Sequence, residues 1–438
     1  MISTPIYDFV KKYAEENNTR FHMPGHKGME LLGCERYDIT EIHGADSLFE
    51  ADGIIAESEK NLSYIYNSRA SFYSTEGSSL CIRAMVFLAM QYTDGKKKIL
   101  AGRNAHKSFL SALSLCDVDA DWLYGDDLYS CIITPEALDK ALGSGEYFSV
   151  YITNPDYLGN MVHIKSLADV CHKHGVPLLV DNAHGAYLKF TGHHPIDCGA
   201  DMCCDSAHKT LPCLTGAAYL HVSENAIHPY EKDAKRAMSL FASTSPSYLI
   251  MISMDMANKT MSEDYEKKVR HTSSMVDELK TNISHLGFDF SGREALKINI
   301  KPKSFGYLGT EVAKMLEEEG IYPEFCDRDN LVLMFTPYNS DEDFSKITSF
   351  FKRLGRTTAI NETSPHLPRL QKAMSPRKAM FAPGEMTDVE NAVGRILASP
   401  CVSCPPAIPI AVCGEIIDED AVRCFKYYGI NRISVVKR

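Results

Sequence analysis

Short apolar runs bounded by turn residues recur at Ser71–Ser74, Lys98–Ala101, Phe148–Thr153, Val176–Val180, Met202–Cys204 and Ala217–Val222. Runs of this length between such boundaries predict buried strands. Between them, apolar residues recur at helical spacing in Ile55–Tyr66, Ser79 to about Tyr92, His106–Leu115 and Ser166–His174, the last stopped by Gly175. This alternation predicts an α/β fold, a mainly parallel central sheet of about seven strands covered by helices.

The texture then changes. A long helix is predicted from Tyr248 to about Met261, continuing through the charged Glu263–Leu286 stretch and stopped by Gly287. Strand-like Lys297–Lys301 and Leu331–Phe335, with a helical pattern over Asp341–Leu354, suggest a smaller C-terminal α+β domain. The polar, Pro-containing stretch Thr357–Pro376 reads as a linker or exposed loop. Residues 1–60 read as an irregular arm with a Gly- and His-rich loop, 61–262 as a large domain and 263–438 as a small one. No internal repeat or low-complexity tract interrupts this plan.

Composition narrows the class. With 46 Lys plus Arg against 57 Asp plus Glu, the net charge is −11. Nucleic acid and anionic membranes want a cationic surface, so neither is expected as a partner. Met1–Tyr13 carries Asp8, Lys11 and Lys12 without the apolar core of a secretory signal. No apolar run approaches the roughly 20 residues that span a bilayer. A cytoplasmic protein is expected. The 14 cysteines are scattered apart from Cys203-Cys204 and a C-x-x-C at Cys401 and Cys404. A zinc site would want a second pair or matched histidines, so reduced thiols and no metal are expected.

In doubly wound sheets, ligands collect beyond the carboxyl ends of the strands. Those ends here deliver Asp181 in PLLVDNAHG, Asp205 in DMCCDSAHKTL, the turn TEGSS opening a helix, and GRNAHKS. Each fits one part of a site for pyridoxal 5′-phosphate (PLP). A phosphate dianion wants a helix N-terminus with hydroxyls, and Gly77-Ser78-Ser79 offers both. A buried carboxylate, Asp181, would keep the pyridine nitrogen protonated. His106 would stack on the ring, Ala183 pack against its other face, and His184 reach its 3-oxygen. Lys209 would supply the Schiff-base amine, its pKa lowered by desolvation and nearby positive charge, with Ser206 and His208 holding the phosphate.

Each residue taken alone has a blander reading. G-S-S before a helix is usually a cap, a strand-end Asp is a common turn residue, a lone His is a hydrogen-bonded loop residue, and a lone Lys lies on the surface. Their conjunction, in order and at strand ends, is what points to PLP.

The same residues lie in motifs similar to those of the bacterial ornithine/lysine/arginine decarboxylases, fold type I PLP enzymes with the aspartate-aminotransferase fold. HMPGHKG at His22–Gly28, GADSLFEADGIIAESE at Gly44–Glu59, then RNAHKS, ITNPDYLG, VDNAHGAYLKF, DSAHKTL and STSPSY follow in that family's order. CPPAIPIAVCGE at Cys404–Glu415 resembles its C-terminal Y-P-P-G-I-P…P-G-E signature, with Cys404 for Tyr, Ala407 for Gly and Cys413 for Pro. The wing domain that opens the larger members is not expected here. The resemblance implies Lys209 as the Schiff-base lysine, Asp181 as the pyridinium partner, His106 as the stacking residue, and Ser78, Ser79, Ser206 and His208 as phosphate ligands. It also implies that Ser243 reaches the phosphate of a neighbouring subunit, making a homodimer with shared sites, and that Glu415 sits near the distal amine of the substrate.

The implied reaction is decarboxylation of a basic amino acid (lysine, arginine or ornithine) to a polyamine-type amine. Two other readings stand beside it. A transaminase of the same fold would need a cationic clamp for the α-carboxylate, for which Arg36, Arg69, Arg83 and Arg103 are candidates. An inactive PLP-binding regulator of a true decarboxylase would explain the altered C-terminal signature.

Overall fold

A computed structural model describes residues 2–16, 18–93, 95–125, 131–404 and 408–438. The N-terminal half runs α1 (Pro5–Glu15), α2 (Ile54–Tyr66), β1 (Ser68–Ser74), α3 (Gly77–Gln91), β2 (Lys98–Gly102), α4 (Lys107–Cys116), β3 (Asp119–Leu123), α5 (Pro135–Gly143), β4 (Ser149–Thr153), α6 (Ile164–Lys173), β5 (Leu178–Asp181), β6 (Met202–Asp205), the single turn α7 (Ala207–Thr210) and β7 (Ala218–Ser223). These strands form one seven-stranded sheet in the order β1-β7-β6-β5-β4-β2-β3. Neighbours β5 and β6 run parallel, as do β2 and β3, while β7 is antiparallel to both β6 and β1.

By packing, the chain divides into two units. The first comprises Met1–Lys96, Phe148–Val150 and Ile164–Lys267, and the second Lys97–Tyr147, Tyr151–His163 and Lys268–Arg438. In the first, α3 packs on β6 and β7 through an almost wholly apolar face that includes Leu80, Ile82, Met85 and Val86. Strands β5, β6 and β7 are buried along their whole length, as their near-continuous apolar runs require. The chain then passes through α8 (Ala234–Ser239), α9 (Tyr248–Ser262) and α10 (Tyr265–His285).

The second unit contains β8 (Asp289–Ser291), β9 (Lys297–Lys301), α11 (Gly309–Glu318), β10 (Phe325–Cys326), β11 (Leu331–Met334) and α12 (Asp341–Arg353), whose four strands pair as β10-β11-β9-β8. Phe288, Phe305, Phe350 and Phe351 lie in the core behind them. After α13 (Pro376–Phe381) come β12 (Gly384–Asp388), β13 (Cys401–Cys404), β14 (Ile408–Val412), α14 (Glu419–Tyr427) and β15 (Arg432–Val436), forming two hairpin-sized sheets on a second core that includes Ile410, Ile417 and Phe425.

Among the departures from the sequence reading, three have a local cause. The arm contains α1, whose apolar face is only Ile6 and Val10 among charged residues, too sparse to stand out. Strand β3 was missed because Ala120 alone in it is fully buried. The long helix is two, because Glu263 leaves helical geometry at φ −93°, ψ −115° with no Gly or Pro to signal it. Pro405, Pro406 and Ala407 of the C-terminal motif lie outside the described residues.

Candidate active site

Two parallel strand ends build the centre of the first unit. Asp181 is the last residue of β5, 2% exposed, and lies level with Cys204 of β6. Its Oδ1 accepts the Ala183 N–H at 3.2 Å and lies 3.7 Å from the Cys204 thiol. Ala183 and His184, both buried, follow in the turn. On the neighbouring strand, Asp205 ends β6 and Ser206 leads into α7, which carries His208 and Lys209. The Lys209 N–H returns to Ser206 O at 3.0 Å, closing that turn.

The turn brings Lys209 Nζ to 2.9 Å from His184 Nε2. An ammonium can only donate, so a cationic Lys209 fixes the His184 proton on Nδ1. On the other side of the turn, Ser206 Oγ donates to Ser78 Oγ at 2.8 Å, joining it to the start of α3. Gly77 opens that helix at φ +69°, and a Cβ there would meet nothing within 4 Å. Open space therefore borders two hydroxyls and a helix N-terminus. One expected donor is missing from it: the Gly77 N–H is committed to Gly216 O at 2.8 Å.

His208 Nδ1 lies 2.8 Å from Ala217 O. A carbonyl only accepts, so the ring proton sits on Nδ1 and Nε2 carries a lone pair. Burial lowers the His208 pKa and the Lys209 cation lowers it further, against the opposing bond to Ala217. The ring is held toward its neutral form.

Ser243 is exposed, and its N–H donates at 2.6 Å to Glu76 Oε1, directly before Gly77. Its loop thus lies beside the 76–79 turn of the same chain.

The other expected residues belong to the second unit. His106 is half-buried and caps α4, its Nδ1 accepting the Ser108 N–H at 3.3 Å. Glu415 is 3% exposed and chelated by Arg103: two bonds of 2.8 Å join the side chains, and the Val412 N–H adds a third at 2.9 Å. Arg103 also faces the rings of Trp122 and Tyr124. The sequence reading noted Arg103 only as a clamp candidate and did not link it to Glu415. Of the other clamp candidates, Arg69 is engaged by Glu231 and the carbonyls of Glu224 and His228, and Arg36 lies 4.0 Å from Glu30. A further buried group, Asp205 with His194, His221 and Asn182, was not anticipated as a unit.

Residues 4–286 match the family described as Orn/Lys/Arg decarboxylase, major domain. An arginine decarboxylase of Bacillus subtilis is 29% identical over 96% of this chain and 92% of its own length. Another, of Halalkalibacterium halodurans, is 29% identical over 95% of this chain and 91% of its own. Among solved structures, the constitutive lysine decarboxylase of Escherichia coli superposes with a TM-score of 0.79 at 18% identity, covering 100% of this chain and 82% of that one. Lysine decarboxylase A of Pseudomonas aeruginosa gives 0.80 at 16%, covering 99% and 80%. A serine palmitoyltransferase of Sphingomonas wittichii gives 0.58 at 15%, covering 80% and 83%. These likenesses establish the fold, fold type I.

Proposed function

The chain belongs to the Orn/Lys/Arg decarboxylase family, and from that premise we propose that it removes the α-carboxylate of arginine with PLP held covalently on Lys209. The chemistry at the level of the family is decarboxylation of a basic amino acid, a carboxy-lyase reaction. Arginine is preferred within that class because the arginine decarboxylases match over at least nine-tenths of both chains. The observation that carries the site is the 2.9 Å approach of Lys209 to His184, on a turn whose other side presents Ser78 and Ser206.

The residues present fit PLP. Open space beside Gly77, rimmed by Ser78 and Ser206 at a helix N-terminus, suits a phosphate dianion. Ser79 and His208 would complete its ligands. Asp181, a buried carboxylate one strand away, suits a cationic ring nitrogen. When bound, the cofactor supplies an electron-accepting ring for the pair left at Cα as carbon dioxide departs. Ala183 is assigned to a face of the ring and His184 to its 3-oxygen.

The chain's own residues then have separable tasks. Asp181 would hold the proton at the ring nitrogen. Lys209 is the amine that would return a proton to Cα, and His184 would hold that proton in reserve. Glu415 is read as the internal partner of Arg103 rather than as the carboxylate that meets the substrate's distal amine, because both its oxygens are already occupied. The same pairing takes Arg103 away from clamping an α-carboxylate, which weighs against a transaminase.

A homodimer and a cytoplasmic location complete the reading. The arm exposes Phe21, Met29, Leu31 and Leu32, a run of large apolar side chains more at home against a second copy than in water. The described cysteines are free, and no described helix is long and apolar enough to cross a membrane.

The test supplies arginine, lysine and ornithine separately to the PLP-loaded protein and measures carbon dioxide and the matching amine. Arginine should give the highest kcat/KM. Preference for another basic amino acid would correct the substrate, and a 2-oxo acid product or no turnover would overturn the reaction.

A further inference from the structure

Asp205 lies next to the site without belonging to it. Asp181 and Cys204 are level in the β5–β6 ladder and meet on one face of the sheet. Asn182 and Asp205, one position further along, meet on the opposite face, where Asn182 Nδ2 donates to Asp205 Oδ1 at 2.6 Å. The Asn182 backbone N–H also donates to Cys204 O at 2.9 Å. The residue directly after Asp181 is therefore tied twice to β6, by its side chain to Asp205 and by its backbone to Cys204.

The carboxylate is gripped from two further directions. His194 Nε2 reaches its Oδ2 at 3.0 Å, and His221 Nε2, from β7, lies 3.3 Å from the same oxygen. All three side chains are fully buried. His221 Nδ1 is engaged by Ser71 Oγ of β1 at 2.7 Å, and Tyr66 stacks on the His221 ring at 4.3 Å. One anion thus links β5, β6, β7 and the loop carrying His194. Burial opposes ionisation of Asp205, but the histidines outweigh it and hold the carboxyl well below the usual carboxylate range.

We propose that Asp205 is a positioning residue: from the back of the sheet, through Asn182, it fixes the separation of the two strand ends that carry Asp181 and the Ser206–Lys209 turn. The inference rests on the PLP reading given above. It depends on hydrogen-bond polarity as well as on packing. The hydrogen-bonded partners of Asp205, Asn182 Nδ2 and His194 Nε2, suit an acceptor-only carboxylate, and His221 Nε2 faces it at 3.3 Å as an ion-pair contact. An amide at position 205 takes the anion away from the imidazoles and can keep the tie only if Asn182 turns its own amide over or a ring proton moves, so the buried network has to rearrange. Exchanging the two groups keeps one carboxylate and one amide donor in the pair without that rearrangement. In the double variant Asn182→Asp, Asp205→Asn, the carboxylate accepts from the amide, whose oxygen still faces the histidines.

The experiment compares the parent, Asp205→Asn, Asn182→Ala and that double variant. It measures equilibrium PLP binding to the apoprotein, borohydride tagging of Lys209, apoprotein Tm, and kcat and KM at saturating PLP. Asp205→Asn should weaken PLP binding and lower kcat by about tenfold, the loss of one or two buried hydrogen bonds, with substrate KM changed less than about twofold. Asn182→Ala should weaken PLP binding about fivefold with its apoprotein Tm close to the parent's. The double variant should recover PLP affinity and kcat to within about threefold of the parent.

Parent-like PLP affinity and kcat in Asp205→Asn or Asn182→Ala would overturn the proposal. So would a lowered Tm with PLP affinity and kcat unchanged, or a folded double variant no better than Asp205→Asn. Should Asp205→Asn fail to fold, the double variant decides alone: folding with restored affinity supports the tie, and failure overturns it. A parent that binds no PLP would sink the functional reading instead, and borohydride tagging of the parent separates the two failures.

Discussion

Arg103 and Glu415 form a bidentate ion pair, two bonds of 2.8 Å between side chains 1% and 3% exposed. Taking away one member strands the other charge in the interior, which costs about 3–5 kcal/mol, whereas replacing both is far milder. Glu415→Gln should therefore lower the unfolding free energy in urea by that order, and the double variant Arg103→Met, Glu415→Met should regain much of it. A Glu415→Gln enzyme of parental stability with a raised KM for the substrate would restore the carboxylate to substrate binding.

In the proposed site Lys209 anchors the cofactor and Asp181 governs its electronics, so their variants should fail differently. Lys209→Ala should lose the visible absorbance of the lysine-bound cofactor and leave no borohydride-stable tag in the 206–210 peptide. Asp181→Asn should retain both signals while kcat falls on the order of a hundredfold or more, since the ring nitrogen loses its anionic partner. A tag on another lysine would displace Lys209 from its role. An Asp181→Asn enzyme of undiminished kcat would do the same for Asp181.

What the sequence disclosed was what local pattern carries. The apolar runs ending at Asp181 and Asp205 gave both strand ends within a residue, and with them the turn holding Lys209. Relations between distant segments left no such trace. Nothing near Glu415 announces Arg103, 312 positions away, and the resemblance alone suggested a free carboxylate there. Gly77 looked like an open donor until Gly216 was brought beside it. The His194–Asp205–His221 group was equally hidden, because its members come from a loop and two strands that meet only after the sheet forms.

As a phosphate ligand in the proposed site, His208 should make cofactor binding dependent on pH. Its proton is on Nδ1, bonded to Ala217 O, so the neutral ring offers a phosphate dianion only a lone pair at Nε2. Binding as a phosphate ligand therefore requires uptake of a second proton, which the dianion favours and which burial and Lys209 oppose in its absence. Between the pKa of the free ring and that of the complexed ring, each pH unit upward should weaken binding by up to about tenfold. Pyridoxamine 5′-phosphate carries the phosphate without an aldehyde, so its Kd from pH 6 to 9 isolates the effect from Lys209 chemistry. His208→Gln should flatten the profile, and a parent profile already flat would remove His208 from the phosphate site.

Asp255 ties the chain's beginning to α9 and gives stability its own pH dependence. Its Oδ2 accepts the N–H groups of Ile6 and Tyr7, each at 3.0 Å, and its Oδ1 accepts the Ser58 hydroxyl. Burial outweighs these bonds and pushes the carboxyl up to about 6, from an ordinary 3.8. Between those values the folded protein keeps a proton that the unfolded chain has lost. The stabilising contribution is therefore complete below pH 3.8 and gone above about 6, falling as pH rises. The difference corresponds to roughly 3 kcal/mol. Asp255→Asn mimics the protonated side chain: its oxygen can accept from Ile6 and Tyr7 while its NH2 faces Ser58. Urea unfolding between pH 4 and 7 should show the parent losing stability relative to Asp255→Asn as pH increases, with the variant equal or superior at pH 7. Parallel curves would mean that Asp255 titrates alike in the folded and unfolded chains, and that its hold on α1 does not depend on a bound proton.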